Sequence, residues 1–325
     1  MNTLPLNIYL SIVVPLYNEE ESISILVHKI LESVQPLGLS YEVVLVDDGS
    51  DDRTWEIIES LVAGHQNVRG VKLKRNFGQT SAMVAGFEQA RGEIIVTLDG
   101  DLQNDPADIP MLLEKINQGY DIVSGWRKNR QDHTARVLPS RVANYLISVT
   151  TGVRLHDYGC SLKAYKAKCI KSLKAYGEMH RFFPALASMT GASVTEIQVN
   201  HYPRVYGVSK YGFDRILKVF SDIFAMNLII RFSSFPLKGF TMTAIPFALL
   251  TLFLGFLGIL AVVLSWTPGK AFFFTLAAGL CGLSVIHLIM LGVLGELVVN
   301  TSDLTQAQLP EISKKEISIN NYKDN

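Results

Sequence analysis

The N-terminal part of the chain alternates between short apolar runs and longer segments with apolar residues at helical spacing. Short runs rich in β-branched residues are typical of buried strands, and apolar residues three and four apart are typical of amphipathic helices. The pattern predicts strands at Leu10–Val14, Tyr41–Val46, Val68–Leu73 and Glu93–Leu98, and helices at Glu19–Val34, Thr54–Val62 and Thr80–Ala90. Strands alternating with helices at this pitch form βαβ units, so we expect an α/β fold with a mostly parallel sheet.

The C-terminal part has a different pattern. Gly239–Trp266 and Ala271–Val299 carry no charge until Glu296, and each exceeds the ~20 residues needed to cross ~30 Å of hydrocarbon. Only Thr267–Lys270 separates them, which predicts a tight turn and a hairpin of two transmembrane helices. Two spans alone do not easily form a transport path, so we expect an anchor rather than a transporter.

The segment before the first span is apolar at helical spacing but is interrupted by Lys218, Asp222 and Arg231. It fits either an amphipathic helix at a membrane surface or a core helix of the first domain. Basic residues before the first span and after the second place both termini in the cytosol by the positive-inside rule. The predicted organisation is 1–212 as the α/β domain, 213–236 as membrane-surface helices, 237–300 as the two spans, and 301–325 as a cytosolic tail.

Composition narrows the function classes. The formal net charge is +0, so a generally basic nucleic-acid binder is not indicated. The three cysteines are odd in number and contain no CxxC pair, which predicts neither a zinc site nor a disulfide framework. A reducing, cytosolic setting fits the α/β domain, and no signal peptide is predicted.

An Asp-x-Asp sequence follows the fourth predicted strand. Asp99 and Asp101 place two carboxylates on one side of a turn, and Gln103 adds a neutral oxygen. Hard oxygen ligands of this kind suit Mg²⁺ or Mn²⁺ bridging two phosphates. Taken alone the pattern is weak, because a capped turn has the same composition.

Two further polar clusters follow the first and second strands. Pro15 fixes the exit from the first strand, Tyr17 offers a ring against which a base can lie, and Glu19 offers a carboxylate to the ribose hydroxyls. The segment could instead be an ordinary helix start, because the helix dipole favours acidic residues in the first turn. Asp48 is the candidate ligand contact among four carboxylates after the second strand. Ser50 or Asp51 could cap the helix that begins near Thr54, and Asp51 is assigned a structural role. Ligands bind beyond the carboxyl ends of parallel strands, so all these clusters could line one crevice.

Four motifs occur in order at family-like separations: Pro15–Glu19, Val46–Ser50, Arg75–Gly78 and Asp99–Asp101. Together they resemble the family 2 glycosyltransferases with the GT-A fold. More narrowly, residues 8–299 resemble the polyprenyl-phosphate glycosyltransferases, the relatives of dolichol-phosphate mannose synthase and bactoprenol glucosyltransferases. Gly295–Asn300 departs from the Gly-Glu-Tyr segment of many relatives, which puts a tail-specific assembly role in doubt.

The resemblance implies a role for each matched position. Asp99, Asp101 and Gln103 match the metal and diphosphate positions. Asp157 matches the acidic position near the reacting sugar, as an orienting group or a base. The family's nucleotide-pocket positions correspond to Pro15, Tyr17, Glu19 and Asp48. Its basic segment that closes over the phosphates corresponds to the segment with Arg204 and Lys210. Its two arginines that hold the acceptor phosphate correspond to Arg127 and Arg141. Arg130 and Arg136 could take either acceptor place, and His180 or Arg181 could touch the sugar or the donor.

The resemblance therefore implies inverting transfer of one hexose from a nucleotide sugar to an undecaprenyl-type phosphate at the cytosolic face of the inner membrane. The expected donor is UDP-glucose, with GDP-mannose as the alternative, and the expected cofactor is Mg²⁺ or Mn²⁺. A processive synthase is disfavoured because no Gln-x-x-Arg-Trp segment is present. A membrane-tethered nucleotide-sugar scaffold is the alternative from another class, and the hairpin could pack against copies of itself.

Overall fold

The computed structural model describes residues 8–128, 147–148, 152–171, 173, 179–189, 191–204, 236–301 and 315–317. The chain separates into two compact units, one of Met1–Ile223 with Gln308–Asn325 and one of Phe224–Ala307. Of the predicted features, Arg141, Lys210, the alternatives Arg130 and Arg136, and segment 213–235 lie outside the described residues.

The first unit is built on one mixed sheet in the strand order β7-β5-β6-β4-β1-β2-β3-β8. Neighbouring strands among β1 to β4 are parallel, as are β5 and β7, whereas β6 is antiparallel to both β4 and β5. The strands are β1 Leu10–Leu16, β2 Tyr41–Asp47, β3 Val68–Lys72, β4 Ile94–Thr97, β5 Ile122–Trp126, β6 Lys163–Lys166, β7 Val194–Gln198 and β8 Lys315–Ile317. The predicted α/β class and mostly parallel sheet are confirmed.

The three helices predicted for the first unit and the two predicted spans form with shifts of up to four residues at their ends, and three further helices were not predicted. They are α1 Ile23–Val34, α2 Thr54–Gly64, α3 Gln79–Gln89, α4 Ile109–Asn117, α5 Ala167–Ile170, α6 Phe183–Met189, α7 Pro236–Val263 and α8 Pro268–Thr301. Helix α1 begins four residues later than predicted. Its predicted first turn is instead tied to the start of α2, because the Glu19 N–H donates to Thr54 Oγ1 at 2.8 Å and the Arg53 N–H donates to a Glu20 carboxylate oxygen at 3.1 Å.

The first strand continues past the proline that was predicted to end it. Pro15 is buried within β1 and pairs with Val46 of β2. The Val13 carbonyl accepts from the Leu98 N–H, so the backbone groups of Val13 point toward β4. Every second residue of a strand points its backbone groups the same way, so those of Pro15 also point toward β4. Since β4 ends at Thr97, opposite Val13, the proline costs no ladder hydrogen bond.

The chain segments that carry the sequence motifs lie together at one edge of the sheet. Strands β1, β2, β4 and β5 all end there, and β6 begins there because it runs the opposite way. The buried apolar side chains of the strands, α1 and α4 form a continuous core behind this edge. The turns at the edge therefore project from a rigid base.

A buried ion pair lies away from these motifs, across β2 and β3. Arg69 Nη1 donates to Glu42 Oε2 at 2.7 Å, and the two side chains are 2% and 0% exposed. The other carboxylate oxygen of Glu42 accepts from Ser11 Oγ at 2.7 Å and from the Arg91 N–H at 2.6 Å. The pair thus joins β1, β2, β3 and the turn before β4.

We expect Arg69→Met to destabilise the first unit by about 3–5 kcal/mol, because it leaves the Glu42 carboxylate buried without its cation. Guanidinium unfolding of the detergent-solubilised full chain measures this loss. The matched control is Arg53→Met, whose ion pair with Glu56 is 77% and 68% exposed, and which should change stability by at most about 1 kcal/mol. Equal effects of the two substitutions would contradict the prediction.

The second unit contains α7 and α8, two helices long and apolar enough to cross a membrane. Only 11% of the most apolar window of each helix is buried, unlike the core helix of a soluble protein. Small residues line their contact: a Cβ on Gly295 would lie 2.8 Å from Pro236 and one on Gly258 would lie 3.0 Å from Thr275. Glu296 Oε2 accepts from the Leu237 N–H at 3.2 Å, so this acid satisfies a donor in the first turn of α7.

Candidate active site

The Asp-x-Asp motif forms a buried turn directly after β4. The Asp99 N–H donates to Ser161 Oγ at 3.2 Å, and its Oδ1 accepts from Gln79 Nε2 at 2.6 Å. Burial, followed by the negative charge of nearby Asp101, raises the pKa of Asp99 to about 6. Two carboxylates this close repel each other, so the turn favours a cation between them.

Asp101 is held by the segment that follows β7. Arg204 Nη2 donates to Asp101 Oδ2 at 2.6 Å, and the Gln103 N–H donates to Asp101 Oδ1 at 3.2 Å. The Gln103 side chain turns the other way and donates to the Tyr202 carbonyl at 3.3 Å. Leu102, between Asp101 and Gln103, has a φ of 60°. Non-glycine residues adopt this left-handed conformation at an energetic cost, and often at functional turns.

The Asp99 and Asp101 carboxylates suit Mg²⁺ or Mn²⁺, which prefer hard oxygen ligands. Within the described part of the chain, no three His, Cys, Asp or Glu side chains are placed so that they could hold a metal ion together. Such a pair fits the pattern in which one or two carboxylates bind the ion and substrate phosphates supply further ligands. Gln103 accompanies the pair, but its amide nitrogen is engaged with Tyr202.

Asp48 anchors the loop after β3. Its Oδ1 accepts from the Phe77 N–H at 2.8 Å and its Oδ2 from the Gly78 N–H at 2.9 Å. Burial raises the pKa of Asp48 to about 6, against the lowering effect of these two donors. Both oxygens of Asp48, the predicted ligand contact, therefore accept from the backbone of the Arg75–Gly78 motif. Gly49 permits the approach, since its φ is 69° and a Cβ would lie 2.4 Å from the Arg75 carbonyl carbon.

The loop after β1 is joined to the loop after β2. The Asn18 N–H donates to Ser50 Oγ at 2.9 Å, and Asn18 Oδ1 accepts from the Asp51 N–H at 2.9 Å. Glu19 accepts from Ser22 Oγ at 2.6 Å, so its carboxylate supports the start of α1, and Tyr17 lies half-buried beside it. The cap predicted at Ser50 or Asp51 is wrong, because the N-cap residue of α2 is Arg53; Asp52 Oδ1 accepts from the Thr54 N–H at 2.9 Å.

Arg127 and Asp157 form a two-pronged ion pair at the end of β5. Arg127 Nε donates to Asp157 Oδ2 at 2.7 Å and Arg127 Nη2 donates to Asp157 Oδ1 at 3.0 Å. The N–H groups of Arg127 and Gly159 add bonds of 3.3 Å and 3.1 Å to the same carboxylate. A carboxylate offers about four acceptor positions, so these donors fill those of Asp157. Hydrogen bonding and the charge of Asp157 hold the pKa of Arg127 above its usual value, despite burial.

Lys163, at the start of β6, is buried near this pair. It is 3% exposed, and its Nζ donates to the carbonyls of Cys160 and Tyr158, the latter at 3.2 Å. Burial lowers the pKa of this lysine, while Asp157 and Asp99 raise it. Lys163 was not predicted from the sequence, because an isolated lysine in a strand pattern gives no signal that it is buried.

The structure brings Asp99, Asp101 and Arg204 together, and Arg127 lies near enough to Asp99 to lower the pKa of Asp99. Asp157 joins the group through Arg127, whereas Asp48 faces the Arg75–Gly78 loop. His180 is buried with Nδ1 2.9 Å from Thr80 Oγ1. Gln79 and Ser161, which hold Asp99, were not predicted from the sequence.

Comparisons with known proteins show what the chain is similar to. The family model "Glycosyl transferase family 2" matches residues 11–173. Dodecaprenyl-phosphate galacturonate synthase of Rhizobium johnstonii is 42% identical over 299 residues, which cover 90% of this chain and 88% of that protein. Undecaprenyl-phosphate 4-deoxy-4-formamido-L-arabinose transferase of Pseudomonas paraeruginosa is 38% identical over 301 residues, covering 91% and 86%.

Among solved structures, glucosyl-3-phosphoglycerate synthase from Mycobacterium tuberculosis matches with a TM-score of 0.52. It was crystallised with Mn²⁺, UDP and phosphoglyceric acid; the match has 18% identity and covers 68% of this chain and 77% of that one. At this identity the likeness shows a shared fold. The GT-A-like sheet implied by the sequence motifs is confirmed.

Proposed function

Because this chain belongs to the family 2 glycosyltransferases, we propose that it transfers a single sugar from a nucleotide-sugar donor to a polyprenyl phosphate. The names of the two relatives, each covering about nine tenths of the chain, support this acceptor class. The observation that carries the proposal is the side-by-side placement of a carboxylate pair, Asp99 and Asp101, and the Arg127–Asp157 pair. The first suits a metal-bound diphosphate and the second suits a phosphate acceptor.

The donor diphosphate is proposed to lie at the Asp99–Asp101 turn. A divalent cation on these carboxylates would neutralise the charge that develops on the leaving diphosphate. Arg204 is 25% exposed and already ion-paired with Asp101, so it can reach the same phosphates. The Arg75–Gly78 loop, fixed by Asp48, and the joined loops of Asn18 and Ser50 form the neighbouring wall for the nucleoside.

Arg127 is proposed to bind the acceptor phosphate. Its Nε and Nη2 atoms form the fork to Asp157, and in the described chain no hydrogen bond is formed by Nη1. This outer edge of the guanidinium suits a phosphate oxygen. An acceptor oxygen held here attacks the anomeric carbon as the bond from that carbon to the donor diphosphate breaks.

Asp157 is proposed to orient Arg127 rather than to take a proton. Its acceptor positions are filled by N–H donors, and a phosphate monoester is already anionic near pH 7, so it needs positioning more than deprotonation. The base role left open by the sequence motif is therefore the less favoured of the two.

Helices α7 and α8 are proposed to anchor the enzyme in the inner membrane, with the catalytic unit and both termini in the cytosol. Their length, exposed apolar surfaces and small-residue contact support a transmembrane hairpin. Lys238, near the start of α7, supports the cytosolic side for that end. The anchor would keep the catalytic unit near the lipid-borne acceptor.

The donor is proposed to be a UDP-sugar. Glucose is to be tested beside the two sugars that appear in the names of the relatives. Those relatives are named for galacturonate and 4-deoxy-4-formamido-L-arabinose, so their names do not favour the glucose expected from the sequence. GDP-mannose remains the alternative donor.

The test is transfer of labelled sugar to undecaprenyl phosphate by the detergent-solubilised full chain. The donor panel contains UDP-glucose, UDP-galacturonate, UDP-4-deoxy-4-formamido-L-arabinose and GDP-mannose, with Mg²⁺ or Mn²⁺ and again with chelator. Metal-dependent labelling of the lipid fraction by one donor is expected. A folded, nucleotide-binding protein that labels no lipid with any donor would instead be a membrane-tethered scaffold.

Nucleotide affinity should fall as the pH drops through about 6. Asp48 has a raised pKa of about 6, so its carboxylate accepts both loop N–H groups above that pH and loses one acceptor below it. We expect UDP to bind about 10-fold more weakly at about pH 5 than at about pH 7.5. Isothermal titration calorimetry measures this change. Asp48→Asn should bind weakly throughout and show a flatter pH profile; a profile as steep as the wild type would show that Asp48 does not cause the loss.

A further inference from the structure

An aromatic stack lies directly beside the Arg127–Asp157 ion pair. The Trp126 and His156 rings have centroids 4.3 Å apart and planes inclined by 17°. Trp126 precedes Arg127 at the end of β5, and His156 precedes Asp157. Two consecutive residues of one segment therefore contact two consecutive residues of the other.

Glu196 of β7 holds the same histidine. Its Oε2 accepts from the His156 N–H at 2.8 Å, and its Oε1 contacts His156 Nδ1. The histidine side chain is 65% exposed, whereas the glutamate is only 16% exposed. A mostly exposed ring is thus fixed by one stacking contact and by a carboxylate on a neighbouring strand.

The segment around Asp157 is anchored from three strands. Trp126 and Arg127 contact it from the end of β5, Lys163 of β6 binds its Tyr158 and Cys160 carbonyls, and Glu196 binds it from β7. Space is tight within it, since a Cβ on Gly159 would lie 3.2 Å from Arg127 Nη2. A small shift of this segment would therefore move the guanidinium.

We propose that His156 is a positioning residue for the acceptor phosphate. Held by Trp126 and Glu196, it fixes the backbone before Asp157, and Asp157 in turn fixes the outer edge of Arg127. The inference rests on the proposed function, because it takes Arg127 as the acceptor ligand. The histidine acts on the acceptor phosphate through this chain of contacts.

The experiment compares steady-state transfer by the full chain with His156→Ala and His156→Phe. His156→Ala should raise the KM for undecaprenyl phosphate by about 10-fold, while the donor KM and donor hydrolysis without acceptor change less than about twofold. His156→Phe keeps a ring against Trp126 but loses the Nδ1 contact, so its effect should be smaller. The matched control, His65→Ala, removes an exposed histidine whose Nδ1 lies 3.0 Å from the Leu61 carbonyl oxygen, and should change neither KM.

Glu196→Ala removes the contact between Glu196 and His156 from the glutamate side. Its effect on the acceptor KM should resemble that of His156→Ala, and the double variant should be no worse than either. An unchanged acceptor KM in both single variants would overturn the proposal, as would an equal loss for donor and acceptor. If the wild type transfers no sugar, the proposed function fails separately. Binding of undecaprenyl phosphate in detergent then tests the inference, because equal affinity of wild type and His156→Ala would overturn it.

Discussion

Replacing Asp101 with asparagine should lower sugar transfer by about 10²–10⁴-fold, because a metal ion that stabilises a leaving diphosphate contributes several kcal/mol. Asparagine has nearly the same shape as aspartate and keeps one oxygen that can accept from Arg204. It removes the negative charge that a divalent cation needs. The loss should therefore appear in the metal-dependent step rather than in folding.

Two measurements separate this effect from a general defect. Mn²⁺ binding in the presence of UDP should weaken strongly in Asp101→Asn, and the unfolding transition should stay close to that of the wild type. Asp121→Asn is the matched control: its carboxylate, at the opposite end of the sheet before β5, binds Ser193 and Lys166. That variant should keep Mn²⁺ binding and transfer. Near-normal transfer by Asp101→Asn would remove Asp101 from the mechanism.

The first four strands of the sheet were predictable from the sequence because their signals are local. The strands at Tyr41 and Val68 and the helix at Thr54 begin where the apolar pattern places them. The start of α1 was not predictable, because its first turn is replaced by bonds from Glu19 to Thr54, 35 residues away. The insertion of β6 between β4 and β5 likewise depends on contacts between distant segments.

The candidate site shows the same difference between local sequence signals and contacts between distant segments. Asp99 and Asp101 stand in a short motif, so their chemistry could be stated from the sequence alone. The partners of that motif are remote: Arg204 is 103 residues from Asp101, and Asp157 is 30 residues from Arg127. The family resemblance implied separate roles for Arg127 and Asp157, one for the acceptor phosphate and one near the sugar. The fork between them makes them a single unit whose roles must be tested together.

Arg127→Lys should reduce transfer by about 10²-fold and raise the KM for polyprenyl phosphate, because lysine keeps the charge but loses the planar fork. Lysine is preferred to an apolar residue here, since Asp157 is 4% exposed and would otherwise be left as a buried, unpaired charge. Asp157→Asn keeps the shape of the carboxylate but turns one acceptor into a donor facing the guanidinium. A loss of similar size is therefore expected.

The double variant, Arg127→Lys with Asp157→Asn, decides between the two roles of Asp157. If Asp157 orients Arg127, the second substitution has little left to remove, and the double variant should be about as active as the worse single variant. If Asp157 is a base with its own step, the two losses should multiply, and Asp157→Asn should depress kcat with little change in the acceptor KM. Steady-state rates of the four proteins with saturating donor supply the whole cycle. Multiplicative losses would contradict the orienting role and restore the base.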